Sequence, residues 1–155
     1  MKRAPLALIA ALSLTGAAIL PAAAAHAADD LIYTGLLSNT AVGGYDTVTF
    51  HTQDAPARGS REFTTTWNGA SWRFTSQDNL DLFLADPEAY APQYGGYCAW
   101  AIAQGYTAKG DPEFWTIVDD KLYLNFNQDV QDRWEADIPG FIAAADANYP
   151  DILAD

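Results

Sequence analysis

The pattern of apolar and polar positions changes several times along this chain, and each change marks an element. The first residues, "MKR", are followed by an almost continuous apolar run, "APLALIAALSLTGAAIL", that ends at small residues around "AHA". A cationic start, an apolar centre and an A-x-A end form a secretory signal peptide, read here as residues 1–27 with cleavage after Ala27. The run is interrupted by Ser and Gly and lacks a stop-transfer flank, so it is not read as a permanent membrane helix. His26 leaves with it. Residues 28–42 read as an N-terminal lead-in, and residues 43–155 as one folded domain.

Within that domain the period alternates between the two regular types. "YDTVTFH", opened by Gly43-Gly44, is a short β-type run, and "TQDAPARGS" is a loop. "REFTTTW" and "SWRFT" are β-rich runs joined through Asn68-Gly69, a pair that tolerates positive φ and favours a tight hairpin turn. At Ser76 the pattern becomes helical: Ser76 caps, Asp78 suits the first turn, Leu80, Phe83 and Leu84 form an apolar face, and Asp86-Pro87 stops the helix. "GGYCAWAIAQG" reads as a short helix bracketed by glycines. "EFWTIVDDKLYLNF" reads as a second hairpin turning at Asp119-Asp120, and "NQDVQDRWEADIPG" and "FIAAADANYP" as two closing helices. No repeat, linker or low-complexity tract stands out. The expectation is an α+β fold, a single small domain of β-hairpins and short helices.

Charge narrows the function. The formal net charge is −12, and of the cationic residues only Arg58, Arg61, Arg73, Lys109, Lys121 and Arg133 follow the cleavage point, whereas every acidic residue does. Such a chain repels phosphate backbones, which excludes nucleic acid, and disfavours anionic membranes. Five Trp, eight Tyr and seven Phe argue for a packed core, with Trp67, Trp72, Trp100 and Trp115 as core or cross-strand partners. No G-x-S-x-G, H-E-x-x-H or Walker-type loop is present. The single cysteine, Cys98, rules out an internal disulfide.

The ordered blocks "GGYDTVTFHT", "YAPQYGGYCAW", "GYTAKGDPEFWTIVDDKLYLNFN" and "DIPGFIAAADANYP" resemble the exported bacterial YHS domain-containing (seleno)proteins, and "W-NGASWRFTSQDNLDLFLADPEAYAP" resembles the YHS module itself. That resemblance implies a treble-clef-like fold and a periplasmic or secreted location. It also implies a metal site at two cysteines, whose positions here are occupied by Thr75 and Asn79. Neither supplies the sulfur or imidazole that Cu(I) or zinc prefers. Both read more simply as residues bonding local backbone. Some members of the resembled family carry selenocysteine at the position of Cys98, which implies chalcogen chemistry there.

Three functions therefore stay open. The first is soft-metal (copper) binding, with Cys98 as the thiolate for Cu(I) and His51 as second ligand. Asp46 is a third candidate whose cheaper role is in a turn. The second is a redox protein in which Cys98 is the catalytic thiol and an external thiol completes the cycle. The third is a non-catalytic interaction module with Cys98 as an apolar core residue. The residues favour none of them outright: a helix start after Gly95-Gly96 would stabilise a thiolate, while the acidic surroundings oppose it.

Overall fold

A computed structural model describes residues 31–154. The expected signal peptide, residues 1–27, and His26 within it lie outside the described residues. Among the described residues no helix is long and apolar enough to cross a membrane. The fold is α+β, as expected: a single small domain of two antiparallel hairpins with short helices. In chain order the elements are α1 (Thr47–Thr52), β1 (Ser60–Trp67), β2 (Ala70–Phe74), α2 (Gln77–Ala85), α3 (Pro87–Tyr90), α4 (Ala99–Ala103), β3 (Asp111–Val118), β4 (Lys121–Asn125), α5 (Gln128–Glu135) and α6 (Ile138–Asn148).

Both hairpins follow from their turn residues. Asn68 and Gly69 adopt positive φ between β1 and β2, and Asp119 and Asp120 do so between β3 and β4. Asx residues tolerate that region better than any other side chain. Ser76 caps α2 by accepting the N–H of Asn79 at 3.2 Å, and Asp86 both ends α2 and caps α3. Leu80 and Phe83 are buried, whereas Leu84 is exposed, so the α2 face is narrower than its periodicity implies.

Two expectations fail. "YDTVTFH" is not a strand: Thr47–Thr52 form α1, capped by Asp46, whose Oδ1 accepts the N–H of Val48 at 2.9 Å. β-Branched residues favour strands by propensity, but a buried cap decides the local outcome here. The lead-in is also not separate from the domain. Ile32, Ala41 and Val42 are core residues, the Tyr33 N–H donates to the Gly95 carbonyl at 2.9 Å, and Thr40 bridges to Ser71.

The chain does contain a repeat. The pairs Ser60–Phe74, Thr64–Arg73, Thr65–Trp72, Thr66–Ser71 and Trp67–Ala70 recur, at one constant offset, as Asp111–Asn125, Trp115–Leu124, Thr116–Tyr123, Ile117–Leu122 and Val118–Lys121, each hairpin with its bulge at the same place. Upstream of each lies the same short turn. Val42 and Gly43 (φ 51° and 58°) match Tyr94 and Gly95 (φ 55° and 63°), and Gly44 (φ 82°) matches Gly96 (φ 86°). After it come Tyr45 or Tyr97, a cap residue and a short helix. Even the tie to the following loop recurs: Asp46 N–H donates to Ala57 carbonyl at 2.8 Å, and Cys98 N–H to Ala108 carbonyl at 2.9 Å. Few side chains are shared between the halves, which is why the sequence pattern conceals the repeat.

Two clusters form the core. Phe50, Trp72, Phe74 and Phe83 pack with Leu122 and Leu124, with Trp67 and Trp115 against them. Tyr94, Ile102, Tyr123 and Trp134 pack under α6. Trp72 is buried, Trp67 meets it edge-on at 5.6 Å, and Trp115 meets Phe50 at 5.2 Å, so these tryptophans serve the core and the hairpins.

Candidate functional site

The repeat sets Asp46 and Cys98 at equivalent points, each the residue that caps the short helix after the Gly-Gly-Tyr turn. In the first half Asp46 is fully buried. Its Oδ2 accepts the Thr75 N–H at 2.8 Å, the Thr75 hydroxyl at 2.7 Å and the Asn79 Nδ2 at 2.7 Å. Asn79 Nδ2 also reaches the Thr75 hydroxyl at 3.1 Å. Thr75 and Asn79 therefore join α1 to the start of α2 through Asp46, instead of bonding only local backbone. A buried carboxylate is tolerable when its lone pairs are filled in this way. Both Asp46 carboxylate oxygens, the Thr75 N–H and hydroxyl, and the Asn79 Nδ2 bond one another or backbone, so Asp46 holds the fold together.

The second half keeps the backbone and changes the chemistry. Asp46 becomes Cys98, and Thr75 becomes Phe126. Asn79, whose N–H the Ser76 cap receives, becomes Val130, whose N–H the Asn127 cap receives at 3.0 Å. Cys98 caps nothing with its side chain. Its place as acceptor is taken by Asn125, the counterpart of Phe74, whose Oδ1 receives the Trp100 N–H at 3.2 Å and the Cys98 thiol at 3.7 Å. Asn125 is fully buried and its Nδ2 has no acceptor.

Cys98 itself is 1 % exposed. It nevertheless lines a cavity of about 240 Å³ whose walls are Trp100, Tyr106, Phe126 and Val130 with two alanines. Tyr106 and Phe126 are partly exposed at the rim, and Trp100 meets Tyr106 edge-on at 6.2 Å. Burial pushes the thiol above its ordinary pKa, while the backbone N–H groups of Ala101, Phe126 and Trp100 act on the sulfur in the opposite sense. Burial wins, so the thiolate expected from the helix start alone is disfavoured at rest.

His51 occupies different surroundings. It lies in the last turn of α1, edge-on to Tyr90 at 5.5 Å, and its Nε2 is buried without a partner. Its pKa is lowered by burial, an effect that the Asp120 carboxylate partly offsets. Asp120 lies at the hairpin turn, whereas Cys98 lies against Asn125 at the other end of β4. The fold groups Asp46 with Thr75 and Asn79, Cys98 with Asn125, and His51 with Tyr90. Among the described residues no three His, Cys, Asp or Glu side chains form a group able to hold a metal ion.

Sequence reasoning singled out Cys98 but missed Asn125 and the cavity. The one available signal was the Asn at the end of an otherwise apolar strand, "KLYLN". Compared with known protein families, with curated proteins and with solved structures, the chain finds no match.

Proposed function

We propose that this is an exported, YHS-like thiol protein that works through reversible oxidation of Cys98. The observation that carries the reading is the substitution of one buried site within a repeated fold. Where the first half seals Asp46 in hydrogen bonds, the second half sets a lone sulfur against an apolar cavity. A cysteine that merely fills space needs no cavity beside it and no buried amide against it. The N–H groups of Trp100, Ala101 and Phe126 supply partial positive charge where the sulfur gains negative charge during reaction. With no second cysteine in the chain, the oxidised sulfur is returned by an external thiol.

The test is mild peroxide on the folded, reduced mature protein, with dimedone present to trap sulfenic acid and intact-mass detection. One adduct at Cys98 is expected. A thiol that reacts only after denaturation would return Cys98 to the core and favour the interaction-module reading. Protection of Cys98 from alkylation by stoichiometric Cu(I) under anaerobic conditions, with no peroxide adduct, would favour the soft-metal reading.

A further inference from the structure

Away from Cys98, a cleft of about 410 Å³ lies where the two halves meet. One wall is the lead-in at Tyr33 with Gly43, Tyr45 and Arg58, and the other is the segment 109–113. Gly35 and Gly43 keep the cleft open: both have positive φ, and neither has an atom within 4 Å of the place a Cβ would take. Arg58 and Lys109 hold matching places in the repeat, each bridging the tyrosine after a Gly-Gly turn, but their partners differ. Lys109 pairs with Asp111 Oδ2 at 3.5 Å, and Asp111 Oδ1 accepts the Glu113 N–H at 3.1 Å. Arg58 lies over the Tyr45 ring at 4.5 Å and donates to the Gly43 carbonyl at 3.2 Å. Among the described residues it pairs with no carboxylate, in a chain that holds 20 acidic residues. The Tyr45 hydroxyl donates to Glu113 Oε1 at 2.6 Å. Tyr45 thus carries a cation on its face and a carboxylate at its hydroxyl, and the ring keeps the two charges from pairing with each other.

We infer that this cleft binds a small zwitterion, an amino acid or short peptide, whose carboxylate meets the Arg58 guanidinium and whose ammonium meets the Glu113 carboxylate. The planar guanidinium matches a carboxylate through two parallel hydrogen bonds. Stacking on Tyr45 and the bond to Gly43 hold its plane before the ligand arrives, which lowers the cost of ordering it on binding. The Glu113 carboxylate keeps acceptor capacity beyond the Tyr45 hydroxyl, and an ammonium brings three donors to fill it. Net charge sorts the alternatives. A formal charge of −12 repels a simple anion and spreads simple cations over every acidic surface, whereas a zwitterion has no net charge for that field to act on. What such a ligand feels is the local pair of opposite charges, which sets its orientation as well as its affinity. Tyr33 and Pro112 add apolar surface for its side chain. The site owes nothing to Cys98, so it stands apart from the thiol reading.

The experiment is calorimetric titration of the mature chain with the dipeptide Ala-Leu, with N-acetyl-Ala-Leu and Ala-Leu amide as analogues that lack one charge each, and with free leucine. Ala-Leu or leucine should bind saturably at one site, the tighter of the two showing whether a peptide or a free amino acid is preferred. Each blocked analogue should bind more weakly than Ala-Leu by about tenfold or more, the scale of one hydrogen bond to a charged group. Arg58→Gln should weaken Ala-Leu by a similar factor and leave the amide unchanged, since the amide has no carboxylate to lose. Glu113→Gln keeps an acceptor for the Tyr45 hydroxyl; it should weaken Ala-Leu likewise and leave N-acetyl-Ala-Leu unchanged. Lys121→Gln alters charge at the far hairpin turn and should change nothing. N-acetyl-Ala-Leu binding as tightly as Ala-Leu would overturn the zwitterion and leave a plain carboxylate site. Undiminished binding in Arg58→Gln and in Glu113→Gln would place the ligand elsewhere and overturn the site. No saturable binding of either Ala-Leu or leucine would overturn the inference outright, whatever the outcome of the peroxide test on Cys98.

Discussion

The two halves of this domain place the same turn, short helix, bulged hairpin and capped helix in the same order, yet they treat the helix-cap position in opposite ways. In the first half that position carries Asp46, fully bonded and inaccessible. In the second it carries Cys98, which leaves capping to Asn125 and borders a cavity. Side-chain exchange at a few positions on one backbone thus separates a structural site from a candidate chemical one. Thr75 and Asn79 close the first site with hydrogen bonds, whereas Phe126 and Val130 give the second an apolar wall.

The sharpest way to break this contrast is to remove each cap residue. Asp46→Ala strands the N–H of Thr75, its hydroxyl and the Asn79 amide in the interior. It should cost about 3–4 kcal/mol, since each buried unsatisfied group carries a penalty of its own. Cys98→Ala removes only a small apolar atom beside existing space and should cost about 1 kcal/mol. Chemical denaturation of the two variants measures the difference, and equal losses would mean that Cys98 is as structural as Asp46.

A second experiment attempts to convert one half into the other. Cys98→Asp alone buries a carboxylate between Phe126 and Val130 and should be strongly destabilising. Adding Phe126→Thr and Val130→Asn supplies the donors that Asp46 enjoys. The triple variant should recover about 2 kcal/mol or more beyond additivity, read as a coupling energy in a thermodynamic cycle. Strict additivity would show that the halves are alike in backbone trace only.

Two glycines test how closely the halves share their packing. A Cβ at Gly59 would collide with the Arg73 backbone, and one at Gly110 with the Gly96 carbonyl. Gly59→Ala and Gly110→Ala should each cost about 2 kcal/mol, because the obstructing atoms are backbone or lie in the core. A large loss in one and none in the other would restrict the repeat to one side.

The smallest effect concerns His51, which has no counterpart contact at α4. Burial lowers its pKa in the fold, so the unfolded chain binds a proton first as pH falls below the ordinary value of 6.5. Stability from this group is therefore complete above that pH and declines as pH falls through the lowered value. A shallow loss on mild acidification that His51→Gln flattens is the expected record. An unchanged slope in that variant would assign the loss to other groups.

The hairpins were legible because their turn residues act locally: Asn68-Gly69 and Asp119-Asp120 need no partner from elsewhere to adopt positive φ. The same holds for Ser76 as the cap of α2. Helix α1 was not legible, since Thr47, Val48 and Thr49 read as strand until Asp46 is known to be buried and bonded to residues far along the chain. The repeat was hidden for a related reason. Backbone geometry conserves positive φ and close approach, which different residues satisfy, as Val42 and Tyr94 do at matching places. Of the candidate site, Cys98 stood out as the lone thiol, but its partner Asn125 looked like an ordinary strand end, and nothing local signals a cavity.

The way the two core clusters draw on the chain bears on how the protein is assembled during synthesis. Leu122 and Leu124 belong to the same buried cluster as Phe50, Trp72 and Phe83, so the first half has no closed interior until β4 has been made. The cluster around Tyr94 and Trp134 waits longer still, for α6. Despite its repeated architecture, the molecule therefore offers no half that can fold ahead of the other, and stable structure arrives late, nearly all at once.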